Sequence, residues 1–125
     1  MKTTIVGILL LSFLFVVFMP PQKISYAAIP TLNDKISSIA FKYHVPEKTM
    51  FKIISCESSF NPNNHTQSSR ENSWGLVQIN LKAHPEITQE EAVNPDFALN
   101  YLAKNLAKGN GGMWTCYWLT KDRKV

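Results

Sequence analysis

An apolar run near the N-terminus most constrains this chain, because it decides how many residues remain to fold. Lys2 precedes an almost wholly apolar stretch, residues 5–19, and the small residues Ala27 and Ala28 follow it. A short basic start, an apolar middle and a small-residue end are typical of a secretory signal peptide. The run is short for a membrane span, which needs about 20 apolar residues. We therefore expect residues 1–28 to be a cleaved signal peptide, with an uncleaved membrane anchor as the alternative.

The remainder, residues 29–125, has about 97 residues, which is enough for one small domain with a single modest core. Lys2 and Lys23 would leave with the signal. The remainder then has 11 of the 13 basic residues and all nine acidic residues, for a net charge of +2. This excess is compatible with an anionic polymer but is too weak to indicate nucleic acid, and no basic stripe with interleaved aromatic residues is present. We expect a monomer that does not bind nucleic acid.

The chain has two cysteines, Cys56 and Cys116. In an exported protein such a pair indicates one disulfide bond. Closing a loop of about 60 residues would contribute on the order of 4 kcal/mol in the chain-entropy model, which is an upper-end figure. That contribution is large beside the few kcal/mol by which a domain of this size is stable. Two unpaired buried thiols are the alternative.

Local patterns predict a mainly helical domain. Residues 32–43 carry apolar positions on one face, and a second helix begins at Pro46 and reaches Cys56 or Glu57. A capping box at Thr88 predicts a short helical turn, and Asn94-Pro95 opens a longer helix that ends at Gly109. These signals favour a mainly α fold.

Two stretches lack a helical pattern. Residues 65–73 are polar without an apolar period, which predicts an exposed loop, and residues 74–80 could be extended or begin a short helix. Residues 113–119 are rich in aromatic side chains. The sequence therefore leaves room for at most a small strand element.

The second predicted helix places a carboxylate on its apolar stripe. Met50, Ile53 and Ile54 stand at i, i+3 and i+4, and Glu57 takes i+7. A carboxyl group held against apolar surface has its pKa raised and can stay protonated near neutral pH, as a general acid must. A solvent-exposed glutamate at the helix end, or one buried in an ion pair, is the alternative.

Two blocks of sequence, taken together, carry a family resemblance. They are Glu-Ser-Ser-Phe-Asn-Pro at 57–62 and Trp-Gly-Leu-Val-Gln-Ile-Asn at 74–80, with Glu57 eighteen residues before Gly75. The pair resembles the lysozyme-like superfamily, and most closely its SLT-type lytic transglycosylases, which carry Glu-Ser followed by Gly-Leu-Met-Gln-Ile. Val77 stands where that family usually has methionine. The resemblance covers about residues 36–118 and implies a single lysozyme-like domain, an α+β fold with a small or vestigial β element.

The chain also departs from related patterns. Animal-type lysozymes carry an aspartate two residues before the glycine of the second block, where this chain has Ser73, and the acids nearest in sequence are Glu71 and Glu86. The resemblance therefore implies one positioned carboxylate, Glu57. Glu71 is a weak candidate for a group that positions water or stabilises the cation in a hydrolytic reaction. The loop could place it near the cleft, but we expect it to be solvated at the surface. The Ala-Tyr-Asn-Ala-Gly block that the family carries near its C-terminus is replaced by residues 111–117.

The resemblance implies an enzyme of the cell envelope, secreted or periplasmic, that acts on peptidoglycan glycan strands without a cofactor. Glycosidic cleavage needs a proton donor at the leaving oxygen. Glu57 would protonate the oxygen of the MurNAc–GlcNAc β-1,4 bond and then act as base on the 6-hydroxyl, which gives a 1,6-anhydromuramyl product. A hydrolytic muramidase, in which water attacks, remains open. So does a non-catalytic peptidoglycan-binding module.

Further residues are expected to contact the glycan through hydroxyls, amides or rings: Ser58, Ser59, Gln78, Asn80, Trp114 and Tyr117. Each has a structural alternative. The two serines could cap the helix, the two amides could brace backbone turns, and the aromatic rings, with Trp118, could belong to the core.

The three histidines, His44, His65 and His84, stand on different segments without the spacing of metal ligands, so we expect surface histidines and no metal site. Tyr101 lies on the apolar side of its helix and is expected in the core.

Overall fold

A computed structural model describes residues 28–120. The predicted signal peptide lies outside the described residues except for its last residue, Ala28. Among the described residues, no helix is long and apolar enough to cross a membrane.

Helices dominate the described part of the chain, and three short strands interrupt them between the second and third helices. The elements, in chain order, are α1 Leu32–Tyr43, α2 Glu47–Ser58, β1 His65–Gln67, β2 Asn72–Trp74, β3 Ile79–Asn80, α3 Gln89–Val93, α4 Pro95–Ala107, a 3-10 turn Gly111–Met113, and α5 Thr115–Thr120. The mainly α class with a small β element is therefore confirmed.

The helix starts follow from capping side chains. The Thr88 hydroxyl accepts from the backbone N–H of Glu91 while the Glu91 carboxylate accepts from the N–H of Thr88, which is the predicted capping box. The side chain of Asn94 accepts from two backbone N–H groups at the start of α4, again as predicted. Pro46 is the N-cap of α2 rather than its first residue, and α2 continues to Ser58.

Residues 65–70 are exposed, as predicted, but the prediction of a loop over residues 65–73 is wrong, because this stretch contributes β1 and most of β2 to an antiparallel sheet in the order β1-β2-β3. Thr66 faces Ser73 across the first pair, and Ser73 faces Asn80 across the second. All three residues of β1 are exposed, so its sequence lacks the apolar alternation that marks a half-buried strand. Contacts across the strands support it instead, including the His65 ring stacked on Trp74 with centroids 3.6 Å apart.

The core is built mainly from the inner faces of α1, α2 and α4. Helix α1 packs against both α2 and α4. The largest apolar side chains that are fully buried are Ile36, Met50, Ile53, Ile54, Leu76, Val77, Leu99 and Leu102. Leu76 and Val77 belong to the turn between β2 and β3, so the core fixes that turn against the helices.

Gly75 is required at the start of this turn. Its φ is +82°, and a Cβ added there would lie 1.9 Å from the carbonyl oxygen of Ala92 in α3. A residue without a side chain can take the left-handed conformation and allow this close approach. The backbone N–H of Gly75 also donates to the carbonyl of Asn64 at 2.9 Å. The turn is thereby held both to α3 and to the segment that follows α2.

Candidate active site

Glu57 lies one residue before the end of α2, where the apolar stripe of the helix meets a cleft. Met50, Ile53 and Ile54 on that stripe are fully buried, while Glu57 is half-buried and lines the cleft. Its Oε1 accepts a hydrogen bond from the backbone N–H of Cys116 at 3.2 Å. The carboxyl group is therefore positioned by a residue that lies in α5, at the far end of the domain sequence.

Burial raises the pKa of Glu57 above the ordinary value of a glutamate carboxyl. The hydrogen bond from Cys116 acts in the opposite direction, because it favours the charged form. The negative charge of Glu71 adds to the upward shift. The balance is a carboxyl group that holds its proton to a higher pH than an exposed glutamate and yet has a donor ready when the proton leaves.

The disulfide predicted from the sequence is present. Cys56 and Cys116 are joined with an S–S distance of 2.03 Å. The bond joins the end of α2 to α5. Cys56 precedes Glu57 in the chain, and Cys116 donates its backbone N–H to the Glu57 carboxylate. The same cross-link that stabilises the domain thus holds the Cys116 N–H against the Glu57 carboxylate.

The cleft beside Glu57 has a volume of about 330 Å³. Three segments form its walls: the end of α2, the β2–β3 region with the residues just before it, and the stretch from Met113 to Thr115. Arg70, Met113 and Thr115 line the cleft without having been singled out in the sequence. No periodicity or motif marks them, because the contacts that bring them there join segments far apart in the chain.

Gln78 lines the cleft, but both ends of its amide are used inside the protein. Nε2 donates to the carbonyls of Asn64 at 3.0 Å and Gly75 at 2.9 Å, and Oε1 accepts from the Thr66 hydroxyl at 2.7 Å. Gln78 itself has a φ of +49°. Its amide therefore braces the turn and links that turn to β1, as in the alternative role of a backbone brace.

Asn80 behaves similarly. Its Oδ1 accepts from the backbone N–H groups of Asn72 and Lys82, each at 3.1 Å, and its Nδ2 donates to the carbonyl of Arg70 at 3.4 Å. The side chain thus fixes the connection into β2 while one part of it faces the cleft. Gln78 and Asn80 give the cleft a rigid polar wall.

The expectation that Glu71 is solvated at the surface is wrong. Glu71 is half-buried and lines the same cleft as Glu57. Its Oε1 accepts a hydrogen bond from the Ser73 hydroxyl at 2.7 Å, and Ser73 is only 1% exposed. The residue that replaces the aspartate of animal-type lysozymes therefore holds a neighbouring carboxylate, a relationship that the spacing in the sequence did not predict.

Three of the residues expected to contact the glycan lie outside the cleft beside Glu57. The Ser58 hydroxyl is buried and donates to the carbonyl of Ile54 at 3.1 Å, one helical turn back. Ser59 is exposed and is the C-cap of α2 with a φ of +52°. Tyr117 is half-buried and packs on Gly111, where an added Cβ would lie 2.6 Å from its ring. None of the three lines the cleft beside Glu57.

Trp114 combines a core position with an edge on the cleft. It is 5% exposed, and its indole N–H donates to the carbonyl of Val77 at 2.7 Å. This bond joins the turn between β2 and β3 to the segment before α5. Trp118, by contrast, is 60% exposed and lies over Gly112.

A neighbouring pocket of about 270 Å³ shares four lining residues with the cleft: Gln78, Asn80, Met113 and Trp114. His84 lines it, half-buried, with the Tyr101 hydroxyl 3.2 Å from its Nε2. The expectation of a surface histidine is therefore wrong for His84, because the connection after β3 folds it against α4. Across residues 28–120, no three histidine, cysteine, aspartate or glutamate side chains are grouped so that they could hold a metal ion.

Comparison with known protein families identifies the family of this chain. The family model for the transglycosylase SLT domain matches residues 34–118, which is most of the described part of the chain. No significant match was found among curated proteins or among solved structures. The matched range contains Glu57, the cleft walls and both cysteines, and the match agrees with the resemblance carried by the two sequence blocks. The fold is accordingly lysozyme-like, and the chain belongs to the transglycosylase SLT domain family.

Proposed function

We propose that this protein is a peptidoglycan lytic transglycosylase that cleaves the MurNAc–GlcNAc β-1,4 bond with Glu57 as its general acid and base. The single observation that carries the proposal is the half-buried Glu57 carboxyl, whose pKa is raised by burial and which lines a cleft in a chain of the SLT family. The proposed substrate is the glycan strand, and the proposed location is the cell envelope. A disulfide fits an oxidising compartment outside the cytoplasm.

In the first step, protonated Glu57 transfers its proton to the bridging O4 of GlcNAc while the C1–O4 bond of MurNAc breaks. The positive charge that develops at C1 is met by the oxygen of the 2-acetamido group of the same sugar. The raised pKa of Glu57 supports this role, because a general acid must still hold its proton at the working pH.

In the second step, the Glu57 carboxylate takes the proton of the MurNAc 6-hydroxyl, and O6 bonds to C1. The product is a 1,6-anhydromuramyl end. The proton of the 6-hydroxyl leaves Glu57 protonated again, the first proton stays on the 4-hydroxyl of GlcNAc, and no water is consumed. Between the two steps Glu57 is a charged carboxylate. The Cys116 N–H, whose nitrogen lies 3.2 Å from Oε1, stabilises that charge by a hydrogen bond. One side chain can thus serve first as acid and then as base.

The cleft walls support binding of a polar ligand in a fixed orientation. The side chains of Gln78 and Asn80 are held by partners within the protein, so this wall of the cleft keeps its shape when a sugar binds. Trp114 lines the cleft beside them. We propose that a single chain is sufficient for this activity.

The test is the Glu57→Gln variant on purified peptidoglycan, with soluble fragments and their ends measured by mass spectrometry. The amide oxygen of this variant can still accept the Cys116 N–H, but the amide has no acidic proton to transfer. We expect the release of 1,6-anhydromuramyl fragments to fall about a hundredfold or more, as is typical for removal of a general acid. Glu90→Gln, at an exposed acid of α3, is the matched control and should keep the parental rate.

Two outcomes would contradict the proposal. A Glu57→Gln variant that releases fragments as fast as the parent would remove Glu57 from the chemistry. A parent protein that sediments with peptidoglycan but releases no soluble fragment would indicate a binding module instead of an enzyme.

A further inference from the structure

A second carboxylate, Glu71, shares the cleft with Glu57. Both side chains are half-buried and line the same cavity, although they come from different segments, the end of α2 and the residue just before β2. The single-carboxylate chemistry proposed above has no use for Glu71. A second half-buried carboxyl group in the same cleft is a candidate for a separate function in the reaction.

The main chain and the side chain of Glu71 are both anchored. Its carbonyl accepts from the backbone N–H of Ser68 at 2.9 Å, which closes the tight turn between β1 and β2. Its Oε1 accepts from the Ser73 hydroxyl at 2.7 Å. Ser73 is the central residue of β2, paired on both sides, and is 1% exposed. This hydrogen bond holds the Glu71 carboxyl beside a residue whose backbone is fixed by pairing on both sides, so the carboxyl is preorganised.

Among the described residues, no hydrogen bond reaches the second oxygen of the Glu71 carboxyl group, Oε2. Within residues 28–120, Ser73 is the residue whose side chain hydrogen-bonds to this carboxylate, and it contacts Oε1. Oε2 can therefore accept a hydrogen bond from a molecule in the cleft. The Glu71 charge also acts on Glu57, since it is among the causes that raise the Glu57 pKa.

The two carboxyls differ as the acid and the base of a glycosidase differ. Burial biases Glu57 toward its protonated form, whereas the Glu71 side chain accepts a hydrogen bond from the Ser73 hydroxyl. Environments that separate two carboxyl groups in this way commonly mark an acid and a base in one site. A purely structural role, in which Glu71 only anchors the turn through Ser73, is the alternative that an experiment must exclude.

We propose that Glu71 is a general base for water in this cleft, so that the chain releases hydrated muramyl ends in addition to 1,6-anhydromuramyl ends. The inference rests on the proposed function, since it assigns a second outcome to the same bond cleavage at the same site.

The hydrolytic step balances as follows in atoms and protons. Glu57 gives its proton to the bridging O4 as the C1–O4 bond breaks. A water oxygen bonds to C1, and one proton of that water passes to Glu71. MurNAc then carries a hydroxyl at C1, GlcNAc carries a hydroxyl at C4, and the proton on Glu71 returns to Glu57 through solvent. The transglycosylase route differs in the nucleophile, which is the 6-hydroxyl of the sugar in place of water, and in the base, which is Glu57 in place of Glu71.

The test measures the ratio of hydrated to anhydro ends released from purified peptidoglycan, for the parent and for Glu71→Gln. Borohydride reduction before mass spectrometry labels hydrated reducing ends and leaves anhydro ends unchanged, so both are counted in one sample. We expect the ratio to fall about a hundredfold in Glu71→Gln, the lower end of what a positioned general base contributes. Glu71→Asp, which keeps a carboxylate, should recover part of the ratio.

The ratio also separates chemistry from folding. Loss of folded protein lowers both products together and leaves their ratio unchanged, whereas loss of the base lowers only the hydrated ends. Ser73→Ala should lower the ratio several-fold, because Glu71 loses its anchor. Glu90→Gln, at an exposed acid away from the cleft, should leave it at the parental value.

Each outcome decides the inference. A parent that releases anhydro ends alone, or a Glu71→Gln variant with an unchanged ratio, overturns the role of Glu71 and leaves the proposed function standing. A parent that releases hydrated ends alone, and loses them in Glu71→Gln, supports the role of Glu71 and overturns the transglycosylase product. A parent that releases no fragment overturns both.

Discussion

Glu57 illustrates how one residue combines two opposed influences. Burial favours its protonated form, and the Cys116 N–H favours its charged form. A carboxyl that is only buried would be a poor base, and a carboxyl that is only hydrogen-bonded would be a poor acid. The position of Glu57 at the end of α2, half-buried and within reach of α5, supplies both influences at once.

The raised pKa of Glu57 has a consequence for stability. The folded protein binds this proton more tightly than the unfolded chain, so the contribution to stability is fully present below the ordinary pKa of 4.5 and is lost as pH rises through the raised value. The amide side chain of the Glu57→Gln variant does not ionise and avoids this loss. We expect the variant to melt a few degrees above the parent near neutral pH.

Calorimetry across the acidic to neutral range checks this expectation. The difference in Tm between Glu57→Gln and the parent should be close to zero at about pH 3, where the unfolded and folded carboxyls are both protonated, and should grow as pH rises. A difference in Tm that does not change with pH would contradict the assignment of the raised pKa to Glu57.

Among the elements, the turn between β2 and β3 has the strictest backbone requirement. Gly75 combines a φ of +82° with contact to the Ala92 carbonyl, so Gly75→Ala meets both backbone strain and a steric clash. We expect it to lower the free energy of unfolding by about 3 kcal/mol or more, measured by urea denaturation.

Gly109 is the matched control for this substitution. Its φ is +80°, but an added Cβ would find no atom within 4 Å. Gly109→Ala should therefore cost only the conformational term, about 1 kcal/mol. Equal losses of stability in the two variants would contradict the close packing of the turn against α3.

The small sheet shows where local patterns stop being informative. The three main helices, α1, α2 and α4, were predicted from apolar periodicity and capping residues because helical hydrogen bonds join residues that are near in sequence. Strand β1 carries no such signal, since all its residues are exposed. It is held instead by partners in β2 and by the bond from Thr66 to Gln78, which only the folded chain brings together.

At the scale of the whole molecule, the Cys56–Cys116 bond connects stability to the site. It closes a sequence separation of 60 residues and holds α5 beside α2. We expect the Cys56→Ala, Cys116→Ala double variant to lose about 2–5 kcal/mol of unfolding free energy. It should also release peptidoglycan fragments more slowly, because the backbone N–H at position 116 is no longer held against the Glu57 carboxylate.

Urea denaturation and the peptidoglycan assay, each with and without a reductant, measure these effects. The reductant should weaken the parent in both assays and should not change the double variant, which has no disulfide to lose. A reduced parent that keeps its full rate of fragment release would break the link between the disulfide and the site.

The sequence by itself determined the three main helices, the caps at Thr88 and Asn94, the cysteine pair and the carboxylate on the stripe of α2. All of these depend on neighbours within a few turns or on residue type alone. Only the tertiary structure decided which groups meet at the cleft. It brought the Cys116 N–H to Glu57 across 59 residues, turned the amides of Gln78 and Asn80 toward backbone partners, and drew Glu71 into the site through Ser73. The physical reason is that a hydrogen bond between distant segments leaves no periodic trace in the sequence and exists only after the core has aligned those segments.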